Sequence, residues 1–295
     1  MSMKVAIIGM GLIGGSVALS LRAAWPDAHI AGIDRDEAQL SLAREALAID
    51  SSATQISAID TSDVVLVCVP VAQSGSVFVS IAPHLRDGAL LTDVGSTKQS
   101  VIAAARAHLG EKISQFVPGH PIAGREHAGF SAATATLFEG KNVVLTPLAE
   151  NTPASVEQAR LLWRACGANV VDMTADAHDA IFAAVSHLPH LLAFALVDDL
   201  AQRPNARSLF SFAASGFRDF TRIASSSPEM WRDIALNNRE ALLVEMDRYL
   251  EHAALLREAL ANADGTALIE LMSRAREARD NWLAGELDHF RDESA

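Results

Sequence analysis

A glycine-rich turn near the start of the chain constrains the fold most. Lys4 to Gly9 reads KVAIIG, a short apolar run rich in β-branched residues that predicts a strand. Gly11 to Ala24 has helical character, and His29 to Asp34 is apolar again and ends on a carboxylate. These three segments predict a βαβ unit with glycines at its first strand-to-helix turn.

The glycines of this turn follow the spacing GxGxxG. In such turns the first glycine makes the tight bend, the second lets the backbone approach a pyrophosphate, and the third lets helix and strand pack closely. An acidic residue at the end of the second strand completes the fingerprint of a dinucleotide site. Its carboxylate binds ribose hydroxyls and repels a 2′-phosphate, which favours NAD, while the arginine beside it leaves NADP possible. The predicted cofactor-binding residues are Gly9, Gly11, Leu12, Ile13, Gly14, Asp34 and Arg35. The competing interpretation is a structural turn followed by a solvated charge.

Strand-like and helical patterns alternate up to residue 173, and only helical patterns follow. The alternation predicts a mostly parallel sheet with helices on both faces. Further strands are predicted at Asp63–Val69, Ala89–Val94, Gln115–Val117, Asn142–Thr146 and Asn169–Met173, and helices near 36–48, 74–84, 97–109 and 153–166.

The helical half contains the signature of one long helix. Ser227, Pro228 and Glu229 supply an N-cap, a proline in the first turn and an acid near the helix N-terminus. Apolar residues then recur at helical spacing to about Asn262, which predicts a helix ~50 Å long. A helix of that length usually packs on a second chain.

Charge and cysteine content exclude several functional classes. The chain carries 24 Lys and Arg against 36 Asp and Glu, a net charge of −12, and no basic run, so neither nucleic acid nor an anionic membrane is an expected partner. Cys68 and Cys166 lie in apolar sequence without metal-ligand spacing, which predicts reduced thiols in a cytoplasmic protein. The apolar stretch Val5 to Leu21 resembles a secretory signal but contains four glycines and no cleavage site. No other stretch of about 20 apolar residues is expected.

Polar residues follow two later strands, where a parallel sheet forms its ligand crevice. Ser96 follows one strand, and His120 follows the next, in a turn between glycines and a proline. Taken alone, Ser96 is typical of a helix N-cap and His120 of a surface histidine.

Two further groups lie in the helical half. Pro189 is expected to kink or break an apolar helix beside His187 and His190, which lack a third metal ligand and therefore predict hydrogen bonding rather than a metal site. Asp219 and Arg222 are three residues apart and can pair on a helix, either at a site or as a surface ion pair.

The segments GMGLIGGS, DVGSTK, GHPIAGRE, SHLPH and GFRDFTRIASSSPEMWRD, in this order, resemble the prephenate/arogenate dehydrogenase family of tyrosine biosynthesis. The resemblance implies an N-terminal α/β Rossmann-like domain, residues 1–173, followed by an all-α substrate-binding and dimerisation domain, residues 174–295. It implies oxidative decarboxylation of prephenate to 4-hydroxyphenylpyruvate, or of arogenate to tyrosine, with hydride transfer to NAD.

The resemblance also implies residue roles. His120 would be the catalytic base, Ser96 would bond the same substrate hydroxyl, and Arg222 would bind a substrate carboxylate. Asp219 would fix Arg222, while His187 and His190 would line the cleft. Where many members carry a small hydroxyl residue and then Glu-Lys, this chain has Arg125, Glu126 and His127. If Arg125 faces the pocket, its charge favours prephenate over the zwitterionic side chain of arogenate.

Two other functions remain open at this level. A 3-hydroxyacid dehydrogenase or an imine reductase also joins a dinucleotide domain to a helical one, but it usually carries a catalytic lysine in the helical half. The last lysine here is Lys141. The third possibility is a protein that binds NAD without turnover, against which His120, Ser96 and Arg222 together argue.

Overall fold

The structure is a computed structural model that describes residues 2–124 and 127–287. The chain divides into two compact units, one that runs to Leu242 and one that begins at Leu243. Arg125, the candidate substrate contact in the departing motif, lies outside the described residues.

The first unit is built on a six-stranded, all-parallel sheet in the order β3-β2-β1-β4-β5-β6. This order reverses at β1 and β4, which is the switch point where such sheets bind ligands. Alternate residues of β1 pack into separate hydrophobic clusters on the two faces, because successive side chains of a strand point to opposite sides. The strands are β1 (Lys4–Ile8), β2 (His29–Ile33), β3 (Ser51–Ala53), β4 (Val64–Val67), β5 (Leu90–Asp93) and β6 (Phe116–Val117).

Five helices accompany the strands, at the positions that the apolar periodicity predicts. Leu21 of the first helix and Leu162 of the last are buried in the same cluster, on one face of the sheet. The helices are α1 (Leu12–Ala24), α2 (Glu37–Glu45), α3 (Ser74–Ile81), α4 (Gln99–His108) and α5 (Pro153–Ala165). The predicted α/β fold class is therefore confirmed.

A second, three-stranded sheet holds His120. Its strands are β7 (Gly119–Pro121), β8 (Asn142–Leu145) and β9 (Asn169–Asp172); β7 runs antiparallel to β8, and β8 parallel to β9. His120 pairs with Val144 at the centre of β7. The prediction of a turn at His120 is therefore wrong, because the buried strand β8 supplies pairing partners that the local Gly and Pro content does not reveal.

In the described residues after β9, up to 287, the regular elements are all helical. They are α6 (Ala175–Phe182), α7 (Leu188–Gln202), α8 (Ala206–Ser211), α9 (Ser215–Thr221), α10 (Pro228–Asn237), α11 (Arg239–Ala261) and α12 (Gly265–Ala284). Between α6 and α7, residues Ala183–His187 form a π-helical turn in which the Leu188 amide bonds to the Ala183 carbonyl. Pro189 lacks an N–H and crowds the preceding turn, so the predicted irregularity at this proline is confirmed.

The predicted single helix to Asn262 is wrong, because it is broken at Asn238. This residue has φ −119° and ψ 31°, outside the helical region. Its buried amide donates to the Asp179 carbonyl oxygen at 2.8 Å and contacts His187 Nδ1 at 3.0 Å. Two tertiary hydrogen bonds thus hold the residue where the periodicity predicts continuous helix.

The expectation that the chain has no other apolar stretch of about 20 residues is wrong. The helical stretch 175–202 is long and apolar enough to cross a bilayer by length and composition. The core helix of a globular protein passes the same test. This stretch carries the buried polar residues His178, Asp179 and His187, which bilayer-facing segments rarely contain.

Candidate active site

The glycine turn makes the cofactor cradle that its spacing predicts. Gly9 has φ +96°, and a Cβ there would lie 2.3 Å from the Cys68 carbonyl oxygen. A Cβ on Gly14 would lie 1.9 Å from the Gly9 carbonyl oxygen, so α1 can approach the turn only without that side chain. Gly11 is the N-cap of α1, and a Cβ there would meet no atom within 4 Å. Because glycine has no side chain, no side-chain hydrogen bond caps the first amides of α1.

Asp34 lies at the rim of a cavity of about 840 Å³ that Gly9, Gly11 and Arg35 also line. Its Oδ2 accepts from the Met10 amide at 2.7 Å and its Oδ1 from the Asp36 amide at 2.9 Å. Each oxygen keeps a lone pair for a further donor. Arg35 donates to Gln73 Oε1 at 2.9 Å across the same cavity.

These residues fit a dinucleotide. The first turn of α1 contains no acidic residue, so its amides and positive dipole end remain available to a pyrophosphate. Leu12 and Ile13 are partly buried and pack against the hydrophobic core. Their predicted contribution to the cofactor site is through their position in the first turn of α1.

A buried ion pair fixes the backbone on both sides of the predicted catalytic residues. Lys98 Nζ lies 2.6 Å from Asp93 Oδ2 and 2.6 Å from the Gly119 carbonyl oxygen. Asp93 also accepts from the Gly95 amide at 2.8 Å and the Gly119 amide at 3.0 Å. Ser96 lies inside the loop that this carboxylate ties down, and His120 directly follows Gly119. The pair therefore holds the Ser96 loop, which follows β5, next to Gly119 at the start of β7, the strand that contains His120.

His120 contacts a second histidine that sequence reasoning missed. Its Nδ1 lies 2.8 Å from His178 Nε2, and His178 Nδ1 lies 2.7 Å from Asp179 Oδ1. Burial lowers the pKa of His120 well below 6.5, and the nearby His178, Lys98 and His187 lower it further. Burial is also the main cause that lowers the pKa of His178. Both rings are therefore neutral near pH 7, which is the state that a general base requires.

His187 is buried and takes a different role. Burial lowers its pKa to about 4, so the ring is neutral. Asn238 Nδ2 donates to the Asp179 carbonyl oxygen, so this atom is the amide nitrogen and not the amide oxygen. It therefore also donates to His187 Nδ1, at 3.0 Å. A neutral ring that accepts at Nδ1 carries its proton on Nε2. His187 is thus a hydrogen-bond donor at Nε2, unsuited to accept a proton there.

His190 and Arg222 form the third part of the site. The His190 ring stacks on Trp231 with a centroid distance of 3.6 Å, and its Nδ1 donates to the Ser186 carbonyl oxygen at 2.8 Å. Burial lowers the pKa of His190, and the charge of Arg222 contributes to the shift. The positive charge of Arg222 therefore acts on the His190 ring.

The remaining predicted residues are placed as follows. Asp219 is exposed on α9, which ends at Thr221, and Arg222 begins the next 3-10 turn, so the two do not share one α-helix. Their pairing stays a prediction. Within 2–124 and 127–287, no group of three or more His, Cys, Asp and Glu side chains is arranged to hold a metal.

Sequence reasoning missed His178, Asp179, Lys98 and Asn238. His178 lies 58 residues from His120 along the chain, and Asn238 lies 51 residues from His187. One signal was available, since a His-Asp dipeptide in an apolar helix places two polar groups on a surface that is otherwise buried.

Comparison with known proteins gives a consistent result. The family description "Prephenate dehydrogenase, nucleotide-binding domain" matches residues 17–172, and "Prephenate dehydrogenase, dimerization domain" matches residues 174–274. The chain is 36% identical to a cyclohexadienyl dehydrogenase of Zymomonas mobilis, covering 97% of each chain. It is 37% identical to a prephenate dehydrogenase of Bacillus subtilis, covering 94% of this chain and 75% of the relative.

A crystal structure has the same fold. It is a prephenate dehydrogenase from A. aeolicus in complex with hydroxyphenyl propionate and NAD⁺, with a TM-score of 0.90 and 34% sequence identity. The match covers 95% of this chain and 98% of that one.

Proposed function

The chain belongs to the prephenate dehydrogenase family, and on that premise we propose that it oxidatively decarboxylates prephenate, or its amino-acid analogue arogenate, with NAD⁺ as hydride acceptor. Both molecules contain a cyclohexadiene ring with a hydroxyl-bearing carbon opposite a quaternary carbon that holds a carboxylate. Gly9, Gly11 and Asp34 would hold NAD⁺, which would supply the acceptor for the hydride that leaves the hydroxyl-bearing carbon. The ring carboxylate then leaves as CO₂, the electron pair of the broken C–C bond makes the ring aromatic, and the ring oxygen regains its proton from the protonated base.

The protein's part in this reaction is proton transfer and anchoring. His120 Nε2 takes the hydroxyl proton as the carbonyl forms, and Ser96 donates a hydrogen bond at the same oxygen. Arg222 binds a substrate carboxylate, for which a guanidinium is suited by its two parallel N–H groups. Asp219 helps to fix Arg222, and His187 and His190 line the substrate side of the site.

The observation that carries this proposal is the environment of His120. The ring is neutral because burial and nearby positive charge lower its pKa, and it stands next to the Ser96 loop through the shared carboxylate of Asp93. Positioned base assistance is typically worth ~10²–10⁴ in rate. A protein that only bound NAD would have no need of a partly buried, unprotonated imidazole beside the Ser96 loop.

Three further points belong to the proposal. The domain boundary lies at residue 173. Residues 1–173 bind the cofactor, and residues 174–295 bind the substrate through Arg222. The protein is a homodimer through its helical part, supported by the dimerization-domain match and by the exposed apolar side chains Leu243, Leu250 and Leu255 of α11. The enzyme works in the cytoplasm, where its cofactor and substrate are available.

Prephenate is the favoured substrate. Its side chain is a keto acid and carries a net negative charge, whereas that of arogenate is zwitterionic. A chain with net charge −12 must attract an anion through local cations. Arg222 is one such cation, and Arg125 is a second if it faces the pocket.

The experiment is a stoichiometric assay with purified protein. NAD⁺ and prephenate, or NAD⁺ and arogenate, should yield NADH and CO₂ in equal amounts, with a higher kcat/KM for prephenate. Absence of turnover with both substrates contradicts the proposal. NADH formation without CO₂ would instead indicate an ordinary hydroxyacid dehydrogenase.

A further inference from the structure

His178 and Asp179 form a buried line of hydrogen bonds behind His120. The His178 and Asp179 side chains are 0% and 1% exposed. Asp179 Oδ1 accepts from the Lys98 amide at 2.8 Å, and its Oδ2 accepts from the Gln99 amide at 2.9 Å. The carboxylate is thus anchored to the N-terminal end of α4, in the loop that also contains Ser96.

The direction of each hydrogen bond follows from the donors present. A carboxylate that accepts from two backbone amides remains an acceptor, so His178 Nδ1 must donate to Asp179 Oδ1. Neutral His178 then has no proton on Nε2. The 2.8 Å contact to His120 therefore needs its hydrogen on His120 Nδ1. It follows that the other nitrogen of neutral His120, Nε2, carries no proton.

Ring packing keeps this arrangement in place. His120 and His178 meet edge to face with centroids 5.0 Å apart, and Phe182 lies 5.0 Å from the His120 ring and 4.6 Å from that of His178. A flipped ring of His178 would present a carbon atom to both neighbours and lose both hydrogen bonds.

From this geometry we infer that His178 and Asp179 are positioning residues that set the tautomer of His120 and keep its Nε2 unprotonated. The inference rests on the proposed role of His120 as base. When Nε2 takes the substrate's hydroxyl proton, His120 becomes an imidazolium that still donates from Nδ1 to His178. No proton needs to pass to His178 or Asp179. The carboxylate orients His178 so that its lone pair faces the new positive charge, as a buried aspartate orients the histidine of a catalytic triad.

The first test reads the tautomer directly and needs no substrate. Protein with ¹⁵N-labelled histidines is studied by long-range ¹H–¹⁵N correlation near pH 7.5, with the His120 signals identified by their absence in His120→Asn. We expect His120 to be protonated at Nδ1 and bare at Nε2. In His178→Phe, which cannot accept this hydrogen bond, the His120 pattern should shift toward the Nε2–H tautomer. A wild-type His120 protonated at Nε2 overturns the inference.

The second test separates positioning from folding. His178→Phe should lower kcat at least about tenfold while the KM values for substrate and NAD⁺ stay within about threefold, since the base and not binding is affected. His178→Gln places an amide oxygen near the position of Nε2, so it should restore part of kcat. His29→Gln, an exposed histidine that bonds to Ser51, is the matched control and should behave as wild type.

The outcomes distinguish this inference from the proposed function. If kcat of both His178 variants stays within twofold of wild type, the positioning role is wrong. If His178→Phe does not fold, the tautomer of His120 in the wild-type protein and the kcat of His178→Gln still test the positioning role. If neither prephenate nor arogenate is turned over, the proposed function fails, while the tautomer measurement still reports on the hydrogen-bond line.

Discussion

Replacement of Lys98 by methionine tests the buried ion pair that fixes the segments containing Ser96 and His120. Methionine has nearly the same length and volume, so the change removes the charge and two hydrogen bonds while leaving the cavity filled. The Lys98 and Asp93 side chains are 0% and 2% exposed, and Asp93 keeps only its two backbone amide donors, those of Gly95 and Gly119.

The expected cost follows from these contacts. At 2.6 Å two unit charges attract by about 6 kcal/mol with an effective dielectric constant near ~20. Much of this is offset because the ammonium of Lys98 no longer has to be desolvated, a cost that also lowers its pKa in the native protein. Breaking a buried pair typically costs ~3–5 kcal/mol, and the two remaining amide bonds to Asp93 favour the lower end. We expect about 3 kcal/mol.

The assay is urea unfolding at one fixed protein concentration, because the proposed dimerisation would make stability concentration-dependent. Arg106→Met is the control, since Arg106 pairs with Glu150 at 2.9 Å but is 52% exposed, and it should cost at most ~1 kcal/mol. In Lys98→Met/Asp93→Asn the buried charge is gone, so part of the loss should be recovered. A loss for Lys98→Met no larger than that for Arg106→Met would mean that the buried pair stabilises the fold no more than an exposed one.

Four other predictions concern pH dependence, cofactor choice and substrate binding. Because burial holds the pKa of His120 well below 6.5, kcat/KM should stay level down to pH 6.5 and fall only at lower pH; a profile that is already falling between pH 7.5 and 6.5 would contradict the lowered pKa. In the unfolded chain His187 is protonated near pH 6.5, whereas in the folded protein its pKa is about 4. The free energy of unfolding should therefore decrease as the pH falls from 6.5 to 4. The decrease per pH unit should be smaller in His187→Leu, and an equal decrease in the two proteins would rule out this contribution. Asp34→Ser removes the charge that repels a 2′-phosphate and should raise kcat/KM with NADP⁺ relative to NAD⁺ at least tenfold; an unchanged ratio removes Asp34 from cofactor selection. Arg222→Ala should raise the substrate KM about 10- to 100-fold, from a charged hydrogen bond worth ~1.5–3 kcal/mol, and unchanged substrate kinetics would refute the anchoring role.

Features set by neighbours in sequence were predictable. The glycine turn, the first βαβ unit and Asp34 follow from a local pattern, because turn geometry and strand burial depend on residues close along the chain. The irregular helix before Pro189 follows from the missing N–H of one residue. Strand β3 was missed because three residues, Ser51–Ala53, carry too little alternation to be distinguished from a loop.

Features set by distant contacts were not predictable. His120 lies in a strand because β8 pairs with it, and Asn238 leaves the helix because Asp179 and His187 accept its amide hydrogens. The contact between His120 and His178 joins residues 58 positions apart. Periodicity describes which face of an element is buried, but it does not say which buried polar groups meet.

We propose that His120 is the base for an NAD-dependent oxidation. This role is tested most directly by comparing wild type with His120→Asn for kcat with prephenate and for the Kd of NAD⁺. Asparagine is neutral and close in size but cannot accept the hydroxyl proton. We predict that kcat falls by ~10²–10⁴ while the Kd of NAD⁺ changes less than threefold. A variant that keeps near-wild-type kcat, or one that loses NAD⁺ affinity in proportion to kcat, contradicts the claim.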